Sequence, residues 1–135
     1  METREIPRDE WFDFFQDFSR RHYGWRVTIE AFGREFGAQI AARELALGEI
    51  AAELPPAGTG DVTIILGGGD EGSPLTHTVH EPRRILLKVG ADGADEAVEI
   101  QHRDGSVTVL TFRETLPPEQ MEAAEGEAVG SRRER

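Results

Sequence analysis

The sequence predicts an α+β fold: one N-terminal amphipathic helix packed on a curved antiparallel sheet of roughly six to eight strands, half-barrel or sandwich-like. Three observations carry that reading. Trp11, Phe14, Phe15 and Phe18 recur at helical spacing. From Trp25 onward the apolar period changes to two. Turn residues, including Asp104-Gly105, then punctuate a series of short β-type segments.

The spacing predicts a helix from Arg8 to about His22. Pro7 stands at its entry, Asp9 and Glu10 in its first turn, and Arg20, Arg21 and His22 in its last, with Gly24 placed to end it. Acids at the start and bases at the end match the helix dipole. Phe12, about 100° round from Trp11, is expected to widen the buried face.

Trp25, Val27, Ile29 and Ala31, followed after Gly33-Arg34 by Phe36, Ala38, Ile40 and Ala42, predict a hairpin. A two-residue loop would set Ala31 opposite Phe36 and Ile29 opposite Ala38. Residues 43–54 divide between helix, favoured by their Ala, Leu and Glu content, and strand, favoured by Gly48; strand is preferred. With Ile50, Ala52 and Leu54 on one side of a Pro55–Gly60 turn, Val62, Ile64 and Leu66 complete a second hairpin.

After the glycine-rich loop 67–74, Leu75 to His80 and Arg84 to Val89 read as strands separated at Glu81-Pro82. A final hairpin joins Asp95–His102 to Ser106–Arg113, with Val98, Ile100, Leu110 and Phe112 on one face. The domain is therefore expected to span residues 1–113. Residues 114–135, acidic and poor in large apolar side chains, are expected to form a disordered or weakly helical tail.

Composition narrows the function. The 135-residue chain carries 15 Lys plus Arg against 26 Asp plus Glu, a net charge of −11, which disfavours nucleic acid and anionic membrane as partners. There is no cysteine, so thiolate metal sites, thiol nucleophiles and disulfides are excluded. No apolar run approaches the length of a signal core or a membrane span, and a cytoplasmic location is expected.

The run Glu5-Ile-Pro-Arg-Asp-Glu-Trp-Phe-Asp-Phe-Phe, then Phe18-Ser19 and His22-Tyr-Gly-Trp-Arg-Val-Thr-Ile, resembles a family of short bacterial proteins classed as a domain of unknown function. Thr76-His-Thr-Val, Pro82, Glu96-Ala-Val-Glu-Ile and Asp104-Gly-Ser-Val-Thr-Val-Leu-Thr-Phe-Arg113 extend the resemblance over residues 4–113. These patterns carry a fold. The resemblance implies no activity, cofactor or catalytic residue, and it favours an extended reading of residues 45–54.

Candidate chemistry is sparse. His77 and His80 would point to opposite faces of a strand and could share a metal only if the chain bent sharply before Pro82. His77 is expected to be half-buried and hydrogen-bonded, and His80 exposed. Gly67–Pro74 lacks the Gly-Lys-Ser/Thr of a phosphate loop, and Ser19, Ser73 and Ser106 lack the Gly-x-Ser-x-Gly setting of an acyl-transfer nucleophile.

No catalytic, metal or cofactor residue is therefore assigned, and no cofactor is expected. The reading is a non-catalytic binding or interaction module, whose partner is another protein or a second copy of the chain in a homodimer. The apolar residues Ile65 and Leu86, in strands whose other face is also apolar, suggest a second covered surface, either a closed barrel or such a homodimer contact. The alternative is a small-ligand protein or enzyme with a pocket near His77, for which His77, His22, His102 and Arg113 are the candidate lining residues.

Overall fold

The computed structural model describes residues 2–53, 61–67 and 72–113. The fold is α+β, with one short helix and eight antiparallel strands. The chain begins with strand β1 (Glu2–Ile6), turns through a single 3-10 turn at Arg8–Glu10 and enters helix α1 (Trp11–Arg21). Then come β2 (Arg26–Gly33), β3 (Gly37–Ala52), β4 (Val62–Leu66), β5 (Leu75–Val79), β6 (Pro82–Val89), β7 (Asp95–His102) and β8 (Val107–Arg113). The strands lie in the order β1-β6-β7-β8-β2-β3-β4-β5, an open sheet.

That order carries a strong constraint. β5 ends the sheet on one side, whereas β6 stands next to the opposite edge, yet only His80 and Glu81 separate them. Three Cα–Cα steps reach at most about 11 Å, so the sheet must bend round until Val79 and Pro82 approach each other. Glu81 makes the corner in the left-handed region, at φ 51°. Asp61 Oδ1 accepts its N–H at 3.1 Å, and its carbonyl accepts the N–H of Arg103 at 3.1 Å.

Inside the bend lies one core. Phe15 and Phe18 from the helix are fully buried with Val27, Ile29, Leu47, Ile50, Ile64, Ile85, Val98 and Leu110 from the strands. Trp11 is also buried and its indole Nε1 donates to the Ile6 carbonyl at 3.0 Å, which ties the helix start to β1. Phe14 packs at the margin, and Phe12, expected to join the buried face, is 38 % exposed. The strands meet only one side of the helix, so the aromatic stripe is narrower than the sequence implied.

β3 changes partner along its 16 residues. Its first part pairs with β2 up to Ala46, and Leu47–Ala52 pairs with β4. Past the end of β2, the peptide groups of β3 that face away from β4 need other partners. Ser19 supplies one: its hydroxyl accepts the Ile50 N–H at 2.9 Å and donates to the Ile50 carbonyl at 3.0 Å. A side chain of the helix thus stands in for a neighbouring strand at a buried position, where an unpaired peptide group is costly. The strand reading of residues 43–54 holds over 43–52, as the continuation of β3; Leu54 and the 55–60 turn lie outside the described residues.

Two sequence expectations need correction. The first hairpin has a three-residue turn, Arg34 to Phe36, so Gly33 faces Gly37, Phe32 faces Ala38 and Ala31 faces Gln39. Bulges then shift the register twice, setting Ile29 opposite Ala42 and Val27 opposite Leu45. Strict alternation could not foresee this, because each bulge resets the period-two count. Phe36 and Ile40, expected inside, are 47 % and 45 % exposed. Residues 2–6 form a strand that the apolar pattern did not announce.

The last hairpin forms as expected from its turn signal, and its register sets Val98 opposite Leu110 and Ile100 opposite Thr108. Gly105, at φ 93°, completes its turn. The loop residues 68–71 and the tail 114–135 lie outside the described residues.

Replacing Ser19 by Ala is expected to cost roughly 1–3 kcal/mol in urea unfolding, the penalty for a buried peptide group left unpaired. Asp17→Ala, which removes the exposed, solvent-screened ion pairs to Arg20 and Arg21, is expected to cost clearly less than Ser19→Ala. Equal losses in the two variants would mean that the hydroxyl does not serve the strand.

Candidate functional site

The curl that joins β5 to β6 creates a cleft of about 300 Å3 between β5 and the β7–β8 turn. His77, His80, His102, Arg103, Asp104 and Phe36 are among the residues that line it. His77 and His80 alternate along the chain, as a strand requires, but the bend at Glu81 turns His80 back to the same opening. This is the sharp bend on which a shared site depended. Among the described residues no group of three His, Cys, Asp or Glu side chains is disposed to hold a metal ion.

The three imidazoles differ in their restraints. His102 Nε2 lies 2.7 Å from the Thr108 hydroxyl, and His80 Nδ1 lies 3.1 Å from Asp61 Oδ2. His77 is half-buried and has no hydrogen-bond partner among the described residues, contrary to the expected hydrogen-bonded histidine. Burial, reinforced by the charges of His102 and His80, holds His77 below the ordinary histidine value. Burial likewise lowers His102, against the opposing pull of Asp104 and a hydrogen bond to the His80 backbone. Both imidazoles are therefore neutral at neutral pH, able to donate through one ring nitrogen and accept through the other.

Two acids at or beside the opening are engaged locally. Asp104 Oδ1 accepts from the Ser106 hydroxyl at 2.7 Å and from the Ser106 N–H at 2.9 Å, which holds its carboxyl below the usual range. Asp61 is bound to His80 and to the Glu81 N–H. On the other side of Phe36 and Asp104 lies a second recess of about 370 Å3, whose wall includes Arg34, Glu35 and Ser106.

Of the four candidate residues, the structure brings His77 and His102 together and leaves two elsewhere. His22 is buried beneath the helix end, 3 % exposed, with its ring stacked 4.0 Å from Phe18. Its Nδ1 lies 2.8 Å from the Phe18 carbonyl and its Nε2 3.1 Å from Asp95 Oδ2, which also accepts from Arg21 at 3.2 Å. A ring so enclosed serves packing. Arg113 ends β8 and pairs with Glu44, its NH2 2.6 Å from Oε1, both side chains largely exposed.

Sequence reasoning missed Phe36, His80, Arg103 and Asp104 as wall residues. The Asp104-Gly105 turn signal located the last two, but only the sheet order puts that turn against β5.

The fold-bearing segments are also those that a known family shares. The pattern of DUF5335 matches residues 2–121. The chain belongs to this family of unknown function. No curated protein and no solved structure matches it. Membership of DUF5335 therefore brings a domain without an assigned activity, and any site must be argued from the side chains.

Two other features compete with the cleft. Thr108 and His102 form a hydroxyl–imidazole pair in its wall, but Thr108 is 2 % exposed and its hydroxyl is satisfied by the ring, the arrangement of a buried polar group rather than a nucleophile. The β2–β3 hairpin exposes Phe32, Phe36 and Ile40 beside a β3 edge that lacks a strand partner among the described residues. Register shifts beyond Ile40 and a left-handed Glu44 at φ 55° break that edge, as in strands that resist pairing with another chain. Leu86, on the opposite side of the sheet from the core, has Glu5 and Glu99 as cross-strand neighbours.

The lowered histidines set a pH dependence. Unfolded histidines gain protons near 6.5, whereas folded His77 and His102 do so only at lower pH, so the unfolded chain binds more protons in the interval and stability falls as pH drops through it. Urea midpoints at pH 7.5 and 5.5 are expected to differ less in His77→Gln than in the wild type. A His77→Gln profile as steep as the wild type's would place the acid sensitivity elsewhere.

Proposed function

We propose that the chain is a non-catalytic binding module of the cytoplasm, and that its half-barrel sheet offers the cleft beside His77 as a small-ligand site. One observation carries this reading: a half-buried imidazole stands without a hydrogen-bond partner among the described residues, in a cleft where His102 is paired with Thr108 and Asp104 with Ser106. Burying polar atoms without partners costs free energy, and a ligand that pairs with His77 would recover it. The buried Thr108 hydroxyl supports binding over catalysis. No helix among the described residues is long and apolar enough to cross a membrane.

The test is a fragment screen of neutral, cationic and anionic compounds read by NMR, with wild type, His77→Ala and Phe36→Ala compared. Ligands are expected to perturb residues 77–80 and 102–108, to lose at least about tenfold in affinity in His77→Ala, roughly 1.4 kcal/mol, and to be recovered chemically unchanged. Ligands that bind both variants as tightly as wild type, or none that reaches the cleft, would overturn the assignment.

A further inference from the structure

The cleft opens where the core runs out of large side chains. In a strand, alternate residues share a face, so each strand presents one row to the core. At this end of the sheet the rows change together: Ile29 is followed by Ala31 on β2, Ile100 by His102 on β7, and Val79 is preceded by His77 on β5. Ala31, His102 and His77 all line the cleft, which occupies the place of a further apolar layer.

Phe36 borders this space from the β2–β3 turn, and Gly33 seats its ring. A Cβ added at Gly33 would collide with Cε2 and Cζ of Phe36, so the ring lies against the bare backbone of that glycine. Gly33 belongs to β2 and stands outside the left-handed region, unlike Gly37 at φ 71°; the nearness of the ring, not the backbone conformation, is what excludes a side chain there. The ring is thus held in one place while 47 % exposed.

The charges of the cleft favour neither sign. Glu81 and Asp104 share its wall with Arg103, and the Asp104 carboxylate is held by Ser106. An anion would meet the field of a chain with net charge −11, and a cation would meet the Arg103 guanidinium. His77, kept uncharged by burial, has one ring nitrogen that donates and one that accepts, and no partner among the described residues uses either.

We propose that the cleft takes a neutral planar heteroaromatic ring with an amide-like donor and acceptor, stacked on Phe36 and hydrogen-bonded to His77, and that Gly33 positions the stacking surface. The inference rests on the cleft being a binding site and adds the chemical class of its ligand. A cavity of about 300 Å3 stands at the small end of ligand pockets and suits one or two fused rings. A flat ring offers Phe36 its face and His77 its polar edge, so one rigid molecule satisfies both groups.

Four probes, titrated at neutral pH into the full chain while the ring signals of its four histidines are followed by NMR, separate the possibilities. They are 2-pyridone, which is neutral and planar; 2-piperidone, its saturated counterpart with the same amide; benzoate; and benzylamine. 2-Pyridone is expected to move His77 and leave His22 unmoved, and to bind at least about fivefold more tightly than the other three. It is expected to lose about fivefold in Gly33→Ala, which keeps the aromatic ring but displaces it, and in Phe36→Leu, which removes the ring and leaves the turn backbone alone. 2-Piperidone binding as tightly as 2-pyridone would overturn the stacking, and benzoate or benzylamine doing so would overturn the neutral class; either result leaves the cleft a ligand site. Gly33→Ala with a wild-type urea midpoint and wild-type affinity would overturn the role of Gly33. If no probe moves His77, the ligand class is wrong, and the site falls with it only when the wider fragment screen also finds no ligand there.

Discussion

The two-residue link between β5 and β6 is the constraint on which the rest of the structure depends. Strands at opposite ends of an open eight-stranded order can be joined by His80 and Glu81 only if the sheet curls on itself. The curl gives the sheet an inside. Phe15, Phe18 and Trp11 fill it from the helix, and an apolar core closes without a disulfide. Burying a large aromatic side chain contributes on the order of 2–3 kcal/mol, so these three residues weigh heavily in a domain of marginal stability.

The helix does more than fill space. Ser19 completes the hydrogen bonds of β3 where β2 has ended, Trp11 Nε1 reaches back to β1, and His22 joins the helix terminus to Asp95 at the start of β7. Each contact binds a different part of the sheet to the helix. The curvature set by the short link is therefore held from within at three places, and the cleft on the outside of the corner inherits that rigidity. A ligand site built on such a corner loses little conformational freedom when occupied.

The legibility of the sequence followed the physics of each element. The helix was readable because its aromatic face needs the 3.6-residue period, and the last hairpin because Asp104-Gly105 marks its turn, although the turn alone left the register open. β1 escaped because Glu2 to Glu5 present no apolar period; only Ile6 is buried. The β2–β3 register escaped because bulges break alternation, and Ser19, placed at a helix end by sequence, turned out to be a partner of β3. His77 and His102 were legible as candidate lining residues, but not their neighbours in the cleft. Sequence periodicity describes one strand at a time, whereas the cleft arises from strands that only the closing corner brings together.

The juxtaposition of His77 and His102 is thus the most direct consequence of the curl, and a site-specific titration reads it. The account predicts that His77 titrates below an ordinary histidine and moves upward in His102→Gln, because part of its depression comes from the charge of His102. A His77 midpoint unchanged by removal of His102 would mean that the two rings do not face one cleft, and would contradict the curled sheet from which the site is derived.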